Sequence, residues 1–350
     1  MPNDHHFRSK PNQSKNEKMQ KSAVAAAQKI HFMFDSSQSQ SNSFVCVVED
    51  FQHTWPSFLG EIISNVNIQS SGSVNHLNFE TSDAVVVKAN ELESKHMSGR
   101  KYVHAILKAW DSTWPNYNFS SGNSSLNCTV NGQNVTLPYS DRVFGIVDLD
   151  KDRFGTSRRV IEGRKIQTDP RDTESMLIRL NPERLLSALN ISESDWAAIA
   201  KCAKRLTGVQ QLLRGNELPF KLFNPKNDPD CKEIFSCLKW NSNRTEIEID
   251  SNQLLEKYSR KISYIQREII TQSDFKDEFH LRLRASKLPD DFQGHIITAV
   301  IHFAQNTEIN IRKFQKKFEK KCKLLSGDFV DSDMGKDIAK WFIDRDISSE

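Results

Sequence analysis

The sequence predicts an α/β fold, with a parallel sheet flanked by helices and a mainly α-helical C-terminal region. Three observations support this prediction. Short apolar runs alternate with helical stretches over residues 41–180, as in strand–helix–strand units. The runs at 44–48 and 143–147 are nearly continuous in Val, Ile and Phe, which is typical of strands buried on both faces. From residue 181 onward helical periodicity dominates.

Length and composition narrow the class of protein. A chain of 350 residues is long enough for two domains, and 27% charged with 37% hydrophobic residues fits a cytoplasmic protein. Neither a signal peptide nor an apolar run of membrane-spanning length is found, so no membrane contact is expected. The net charge of +3 requires any basic surface to be local. Six scattered cysteines without a Cys-x-x-Cys pair indicate neither a zinc site nor a disulfide framework.

The first part of the chain is predicted in order as follows. Residues 1–40 are rich in Ser, Gln, Asn and Lys and are expected to form a disordered tail, with one short helix around Lys18–Phe34. Order is expected to begin with a strand at Phe44–Glu49. The elements expected next are a helix over Phe51–Asn65, apolar segments at Val74–Phe79 and Ala84–Lys88, and a helix over Gly99–Trp110.

A hairpin insertion is predicted over residues 116–140, because Asn131-Gly132 between two apolar runs is a strong two-residue turn signal. A strand at 143–148 and a short strand at Arg164–Gln167 follow, and the polar segment after them is expected to cap a helix. These elements complete a domain over 41–180. The helical region over 181–350 is expected to contain helices at Asn181–Leu213, Leu254–Ile270, Gly294–Ala304 and Ile309–Leu325.

Two carboxylates follow the strand at 143–147. Asp148 and Asp150 are two residues apart, so on a continuing strand they would point to the same face. The carboxyl ends of parallel strands form the ligand crevice of open α/β sheets, and paired carboxylates attract hard cations such as Mg²⁺. The alternative interpretation is a strand that runs into a solvated polar turn.

Glu49 comes directly after the first predicted strand, and a further acidic cluster lies downstream. One Glu, a paired Asp-x-Asp and another acid suit one or two Mg²⁺ ions acting on a phosphodiester. Glu49 would complete the metal shell or serve as general base. Its alternative role is that of an acid at a helix N-terminus, favoured by the helix dipole.

These residues carry a resemblance to a known family. Val48-Glu49 and Val147–Asp150 look like the Toprim catalytic fold, and Phe144–Asp150 followed by Thr168–Leu177 resembles the DUF4435 family. The resemblance implies a Toprim-like, metal-dependent nuclease that acts on DNA or RNA, with tRNA among the candidates, as an effector of bacterial anti-phage defence. It also implies an ABC/AAA-type ATPase as a partner, and a homodimer is compatible with it.

The resemblance assigns residues one by one. Glu49 matches the family's first-strand Glu, Asp148 and Asp150 match its pair of ligands for Mg²⁺ or Mn²⁺, and Glu174 matches its downstream acid. These four form the expected catalytic set, with Glu49, Asp148 and Asp150 as metal ligands. Arg100 occupies the place of a basic residue before the second helix and is the candidate phosphate contact.

One departure from the family pattern motivates a second function. The Gly that normally follows the first Glu is replaced here by Asp50. The alternative is therefore a catalytically inactive, Toprim-like binding subunit that docks an ABC-type ATPase. A competing nuclease pattern, Asp…Glu-x-Lys, would use Glu162–Lys165, but Arg164 stands in the place of its lysine and Lys165 comes one position late.

A basic segment near the C-terminus is predicted to be an amphipathic helix. Arg312–Lys323 contains seven basic residues, and Ile311, Phe314, Phe318 and Cys322 recur at helical spacing as a buried stripe. The functional interpretation is a phosphate-binding surface beside the active site, and the alternative is an ordinary solvated helix face. The lysines expected to bind nucleic acid are Lys313, Lys316, Lys317 and Lys320.

Overall fold

The computed structural model describes residues 10–36, 43–66, 68–71, 84–92, 99–116, 125–148, 161–168, 172–218, 232–284, 292–306 and 310–348. The chain forms two compact units. The first unit comprises Met1–Asp169 together with Ser326–Glu350, and the second unit comprises Pro170–Leu325.

The secondary structure of the described residues follows in chain order. The first unit contains α1 (Lys10–Ser36), β1 (Val45–Val48), α2 (Trp55–Ile62), β2 (Ile63–Ser64), β3 (Ile68–Ser71), β4 (Ala84–Lys88), α3 (Ala89–Leu92), α4 (Arg100–Thr113), β5 (Ser125–Val130), β6 (Gln133–Pro138), β7 (Val143–Val147), β8 (Ile161–Glu162) and β9 (Lys165–Gln167). The second unit contains α5 (Thr173–Leu180), α6 (Pro182–Leu189), α7 (Glu193–Gly215), α8 (Lys232–Phe235), β10 (Leu238–Trp240), β11 (Ile247–Ile249), α9 (Ser251–Ser259), α10 (Tyr264–Thr271), α11 (Ser273–Arg284), α12 (Gly294–Ala304) and α13 (Ile311–Cys322). The chain returns to the first unit with α14 (Ser326–Val330) and α15 (Asp333–Ile343).

The main sheet lies in the first unit and confirms the α/β prediction. Its strand order among the described residues is β3-β4-β1-β7-β9-β8. The pairs β3–β4, β4–β1, β1–β7 and β7–β9 are parallel, and β8 pairs antiparallel with β9. Every residue of β1 and β7 is buried, as their continuous apolar runs predict. In register, Val48 pairs with Lys88 on one side and with Ile146 on the other.

Helices cover both faces of this sheet. Successive residues of a strand point to opposite faces. On one face, Val45 and Val47 share a hydrophobic core with α1 and α4. A Cβ at Gly145 would lie 2.9 Å from both Leu107 Cδ1 and Val103 Cγ1, so the glycine lets α4 approach the sheet closely. On the opposite face, Phe144 packs against α15.

The predicted hairpin is confirmed. β5 and β6 pair antiparallel around Asn131 and Gly132, whose φ angles of +46° and +82° are both left-handed. A two-residue turn of this type needs positive φ at both positions, which asparagine and glycine tolerate best. β2 pairs with β5, so the hairpin belongs to a three-stranded sheet of the first unit.

The predicted tail over residues 1–40 is wrong for Lys10–Ser36, which form a 27-residue helix. Residues 1–9 and 37–40 lie outside the described part. The buried positions of α1 recur every three or four residues and pack against α4: Ala23, Ala26, Ala27, Ile30 and Phe34. Overall polarity concealed this stripe, because alanines contribute little to a hydrophobicity average although they allow two helices to pack closely.

A buried histidine on α1 predicts a pH dependence of stability. The ring of His31 stacks on Trp110 at 4.2 Å, and its nitrogens bond to Tyr139 Oη and Thr113 Oγ1 at 3.1 and 2.9 Å. Burial lowers the pKa of His31 from 6.5 to about 4. The unfolded chain therefore binds a proton below pH 6.5 that the folded chain takes up only near pH 4.

The free energy of unfolding is expected to fall by about 3 kcal/mol between pH 6.5 and 4, and His31 should cause no further loss below pH 4. Urea unfolding of wild type and of the His31→Gln variant across this range measures the effect. The variant should lose that part of the pH dependence, whereas His53→Gln, at an exposed position, should retain it. Identical pH slopes in wild type and His31→Gln would contradict the assignment.

The predicted division of the chain also requires correction. The first unit ends at Asp169 rather than 180, and residues 326–350 belong to it rather than to the helical region. Aromatic packing explains the return of the chain. Phe329 stacks on Phe58 at 4.6 Å. Trp341 lies 5.2 Å from Phe144 of β7, measured between ring centroids.

Other predictions were confirmed or need smaller changes. The second unit is mainly helical, with the short antiparallel pair β10–β11 in addition. The predicted helix over Phe51–Asn65 begins at Trp55, and β3 was not predicted. The apolar segment Val74–Phe79 lies outside the described residues. Within the described part, no helix has both the length and the apolar character needed to cross a bilayer.

Candidate active site

The carboxyl ends of β1 and β7 bring Glu49 and Asp148 together. The two strands are adjacent and parallel, and Glu49 N extends the pairing by donating to Ile146 O at 3.2 Å. The Glu49 side chain then reaches across to β7, where its Oε2 accepts a hydrogen bond from Asp148 N at 3.3 Å. Residues almost 100 positions apart thus meet at the edge where β4, β1, β7 and β9 end, here called the carboxyl edge.

A third strand orients the Asp148 carboxylate. Thr168 follows β9, and its N donates to Val147 O at 2.9 Å. Its Oγ1 donates to Asp148 Oδ1 at 3.3 Å, and both side chains are buried, with Asp148 only 8% exposed. Sequence reasoning did not identify Thr168 as a site residue. The available signal was its position directly after a strand parallel to β7.

The N-terminus of α4 lies beside Glu49. Gly99 is the N-cap residue, with a left-handed φ of +78° that favours glycine. A Cβ built on Gly99 would lie 3.5 Å from Glu49 Oε1. Arg100 is the first residue of α4, so the predicted phosphate contact begins the helix whose positive end faces this part of the carboxyl edge.

The turn after Glu49 has an unusual backbone. Asp50, in the place of the family's glycine, forms an ion pair with Lys88 at the end of β4. Gln52 Oε1 accepts from Lys88 N at 3.2 Å and ties the turn to the same strand. The left-handed residue is Phe51, with φ +59°, a conformation that costs a non-glycine residue about 1–2 kcal/mol. Such strain is frequent where a functional side chain must be held in place.

The other predicted acids are not brought to this edge by the described residues. Asp150 lies outside the described part of the chain. Glu174 belongs to the second unit, in the first turn of α5, where Asp172 caps the helix and accepts from Ser175 N at 3.0 Å. Asp172 Oδ2 also accepts from Gly294 N at 2.9 Å, and a Cβ on Gly294 would lie 2.8 Å from Glu174 Oε2. Glu174 therefore lies against the N-terminus of α12.

The donor atoms at the carboxyl edge fit a hard cation. Glu49 and Asp148 offer carboxylate oxygens, and Thr168 adds a hydroxyl. Mg²⁺ is commonly held by one or two carboxylates together with water and substrate phosphate oxygens. No group of three or more His, Cys, Asp and Glu residues with metal-binding geometry occurs in the part of the chain that the structure describes. The two described carboxylates are enough for a site completed by a phosphate.

The geometry does not support the competing Asp…Glu-x-Lys pattern. Lys165 pairs with Gly145, three residues before Asp148, which corresponds to roughly 10 Å along the strand. Arg164 bonds to Asp111 Oδ1 at 2.6 Å and to Asp141 Oδ1 at 2.5 Å, so its guanidinium is engaged at the opposite end of β9.

The predicted basic helix is confirmed as α13. Its stripe of Ile311, Phe314, Phe318 and Cys322 is buried. The lysines predicted to bind nucleic acid are all exposed: Lys313, Lys316, Lys317 and Lys320. This helix lies in the second unit.

Comparison with known proteins does not identify a relative. The resemblance to Toprim proteins rests on the motifs quoted above. No family model, curated protein or solved structure matches the chain.

Proposed function

We propose that the chain is a Mg²⁺-dependent nuclease that hydrolyses phosphodiester bonds of DNA or RNA. The observation that carries the proposal is the meeting of Glu49 and Asp148 at the carboxyl edge. This edge is where open parallel sheets bind their ligands, and Mg²⁺ or Mn²⁺ is the cation that suits oxygen donors next to a phosphate.

Each residue has a defined task in this proposal. A metal held by Glu49 and Asp148 supplies charge neutralisation of the phosphate and lowers the pKa of the attacking water. Thr168 fixes the orientation of the Asp148 carboxylate by donating to Oδ1. Glu49 Oε2 is held by the amide of Asp148, so Glu49 Oε1 is the oxygen assigned to the metal or to the proton of the attacking water. Arg100 and the N-terminus of α4 would bind the phosphate.

The resemblance to Toprim-like effector nucleases adds detail to the proposal. It assigns Asp150 as a second ligand from the Asp-x-Asp pair and Glu174 as the downstream acid. It also assigns tRNA as one candidate substrate, anti-phage defence as the biological role, and an ABC-type ATPase as the partner. The Glu49–Asp148 geometry supports the chemistry of the site, whereas these further assignments depend on the motifs.

The test is cleavage of supercoiled plasmid DNA and of total tRNA by the purified full chain. Cleavage is expected with Mg²⁺ or Mn²⁺ and is expected to stop in EDTA, and the substrate that is cut identifies the class of nucleic acid. Calorimetric titration with Mn²⁺ measures metal binding separately. Cleavage that persists in EDTA would refute a metal-dependent mechanism.

The inactive binding subunit makes a different prediction. Asp50 replaces a glycine, and the strained Phe51 follows it, so the first turn departs from the family pattern. If neither cleavage nor metal binding is observed, this scaffold role replaces the nuclease. Metal binding without cleavage would instead indicate that the nuclease requires an activator.

A further inference from the structure

The outer surface of α13 carries a lysine face, formed by Lys313, Lys316, Lys317, Lys320, Lys321 and Lys323. All six side chains are exposed, while the opposite stripe of the helix packs into the second unit. Phe314, for example, contacts the ring of His302 on α12 at 5.1 Å. The helix is therefore anchored on one side and presents ammonium groups on the other.

The lysine face differs from the other charged surfaces of the second unit. Elsewhere, cations face carboxylates: Lys201 and Arg205 share Glu246 at 3.1 and 2.7 Å, and Arg282 pairs with Glu278 at 2.6 Å. None of the six lysines forms an ion pair with another described residue. The α13 helix has one acid, Glu319, and no acid in its first turn.

This arrangement of charge is unfavourable for the isolated protein. Each of the six lysines lies three or four positions from another, and like charges at these spacings destabilise a helix. Lys313 also lies in the first turn, where the helix dipole is positive and cations are disfavoured. A concentration of charge that opposes folding but is presented to solvent indicates an anionic partner.

We infer that the lysine face binds the phosphate backbone of duplex nucleic acid without reading its sequence. Lysine ammonium groups act as point charges, whereas base readout in the grooves relies mainly on forked side chains such as arginine. Single strands are typically bound on exposed aromatic rings, but both aromatic residues of α13 are buried. Lys313 to Lys320 covers about 10 Å of helix, comparable with about three phosphates of one strand.

The inference names the substrate class of the proposed nuclease and, for its role in cleavage, rests on that proposal. Binding itself can be measured without metal. The full chain is titrated with a fluorescent 20-base-pair DNA duplex and with the corresponding single strand, both in EDTA, at several salt concentrations. Wild type is expected to prefer the duplex and to weaken steeply as salt increases.

The decisive variant replaces Lys313, Lys316, Lys317 and Lys320 with glutamine, a good helix former that keeps side-chain length. Because each neutralised phosphate contributes about −0.9 to the slope of log K against log salt, the slope should become shallower by about 3–4. Affinity at low salt should fall ~100-fold. Circular dichroism should show unchanged helix content.

A matched control removes the same charge elsewhere in the second unit, by replacing the exposed Lys201, Lys239, Lys261 and Lys276 with glutamine. Equal losses in both variants, no duplex binding by wild type, or a preference for the single strand would each overturn the inference. Metal-dependent cleavage that survives in the α13 variant with unchanged affinity would leave the nuclease standing and refute the lysine face. Loss of binding in that variant, together with a wild type that never cleaves, would support the face and refute the nuclease.

Discussion

Replacing Asp148 with asparagine is expected to reduce metal-dependent cleavage by at least about 1,000-fold, equivalent to ~4 kcal/mol of transition-state stabilisation. Asparagine has nearly the same shape, and its carbonyl oxygen can still accept the hydrogen bond that Thr168 donates to Asp148. The substitution therefore removes the negative charge and leaves the local packing intact. Initial rates of plasmid or tRNA cleavage at saturating Mg²⁺ measure the loss, and urea unfolding verifies the fold.

Asp344→Asn is the matched control for this substitution. Asp344 follows α15 in the same unit, is partly exposed and pairs with Lys340 on the helix surface at 2.6 Å. Its replacement is expected to change cleavage less than twofold, because exposed pairs at this spacing contribute little. If Asp148→Asn retained more than a tenth of wild-type activity, Asp148 would not be a metal ligand, and the carboxyl edge would lose its assigned function.

Replacing Gly294 with alanine is expected to lower the unfolding free energy of the second unit by about 3 kcal/mol. The added Cβ would lie 2.4 Å from Asp172 Oδ1 and 2.5 Å from Glu174 Cβ, so α12 and α5 must separate. The separation also weakens the hydrogen bond from Gly294 N to Asp172 Oδ2. Because Glu174 must move, the same variant tests whether this acid contributes to cleavage.

Gly215→Ala provides the comparison within the second unit. Gly215 is the last residue of α7, and an added Cβ there meets no atom within 4 Å. Alanine is expected to be neutral or stabilising by up to ~1 kcal/mol, since it restricts the unfolded chain and favours helix. Chemical denaturation of both variants separates the two effects. Equal stability of Gly294→Ala and wild type would show that the close approach of α12 to α5 is not required.

The strands of the sheet could be predicted where burial leaves a pattern in the sequence. β1 and β7 read as continuous apolar runs because both of their faces are covered. β3, Ile-Gln-Ser-Ser, has no such pattern and depends on pairing with β4. The return of α15 to the first unit likewise depends on contacts such as Trp341 with Phe144, between residues almost 200 positions apart. Local periodicity contains no information about such contacts.

The candidate site divides in the same way. Glu49 and Asp148 could be predicted to converge, because both directly follow parallel strands and such strands end at one edge. The partners Thr168 and Lys88 could not be identified, because their roles depend on the strand order β4-β1-β7-β9. In that order, strands distant in sequence become neighbours. An assignment from sequence would require the pairing of strands to be known first.

The return of α14 and α15 to the first unit has a consequence for biosynthesis. The ribosome must make the whole second unit before it makes the helix that covers Phe144 of the sheet. At typical rates of synthesis this delay lasts roughly ten seconds or more, and one face of the sheet lacks α15 throughout. The carboxyl edge therefore reaches its final form only late in translation. A nuclease built in this way would remain incompletely assembled while its own messenger RNA is still being read.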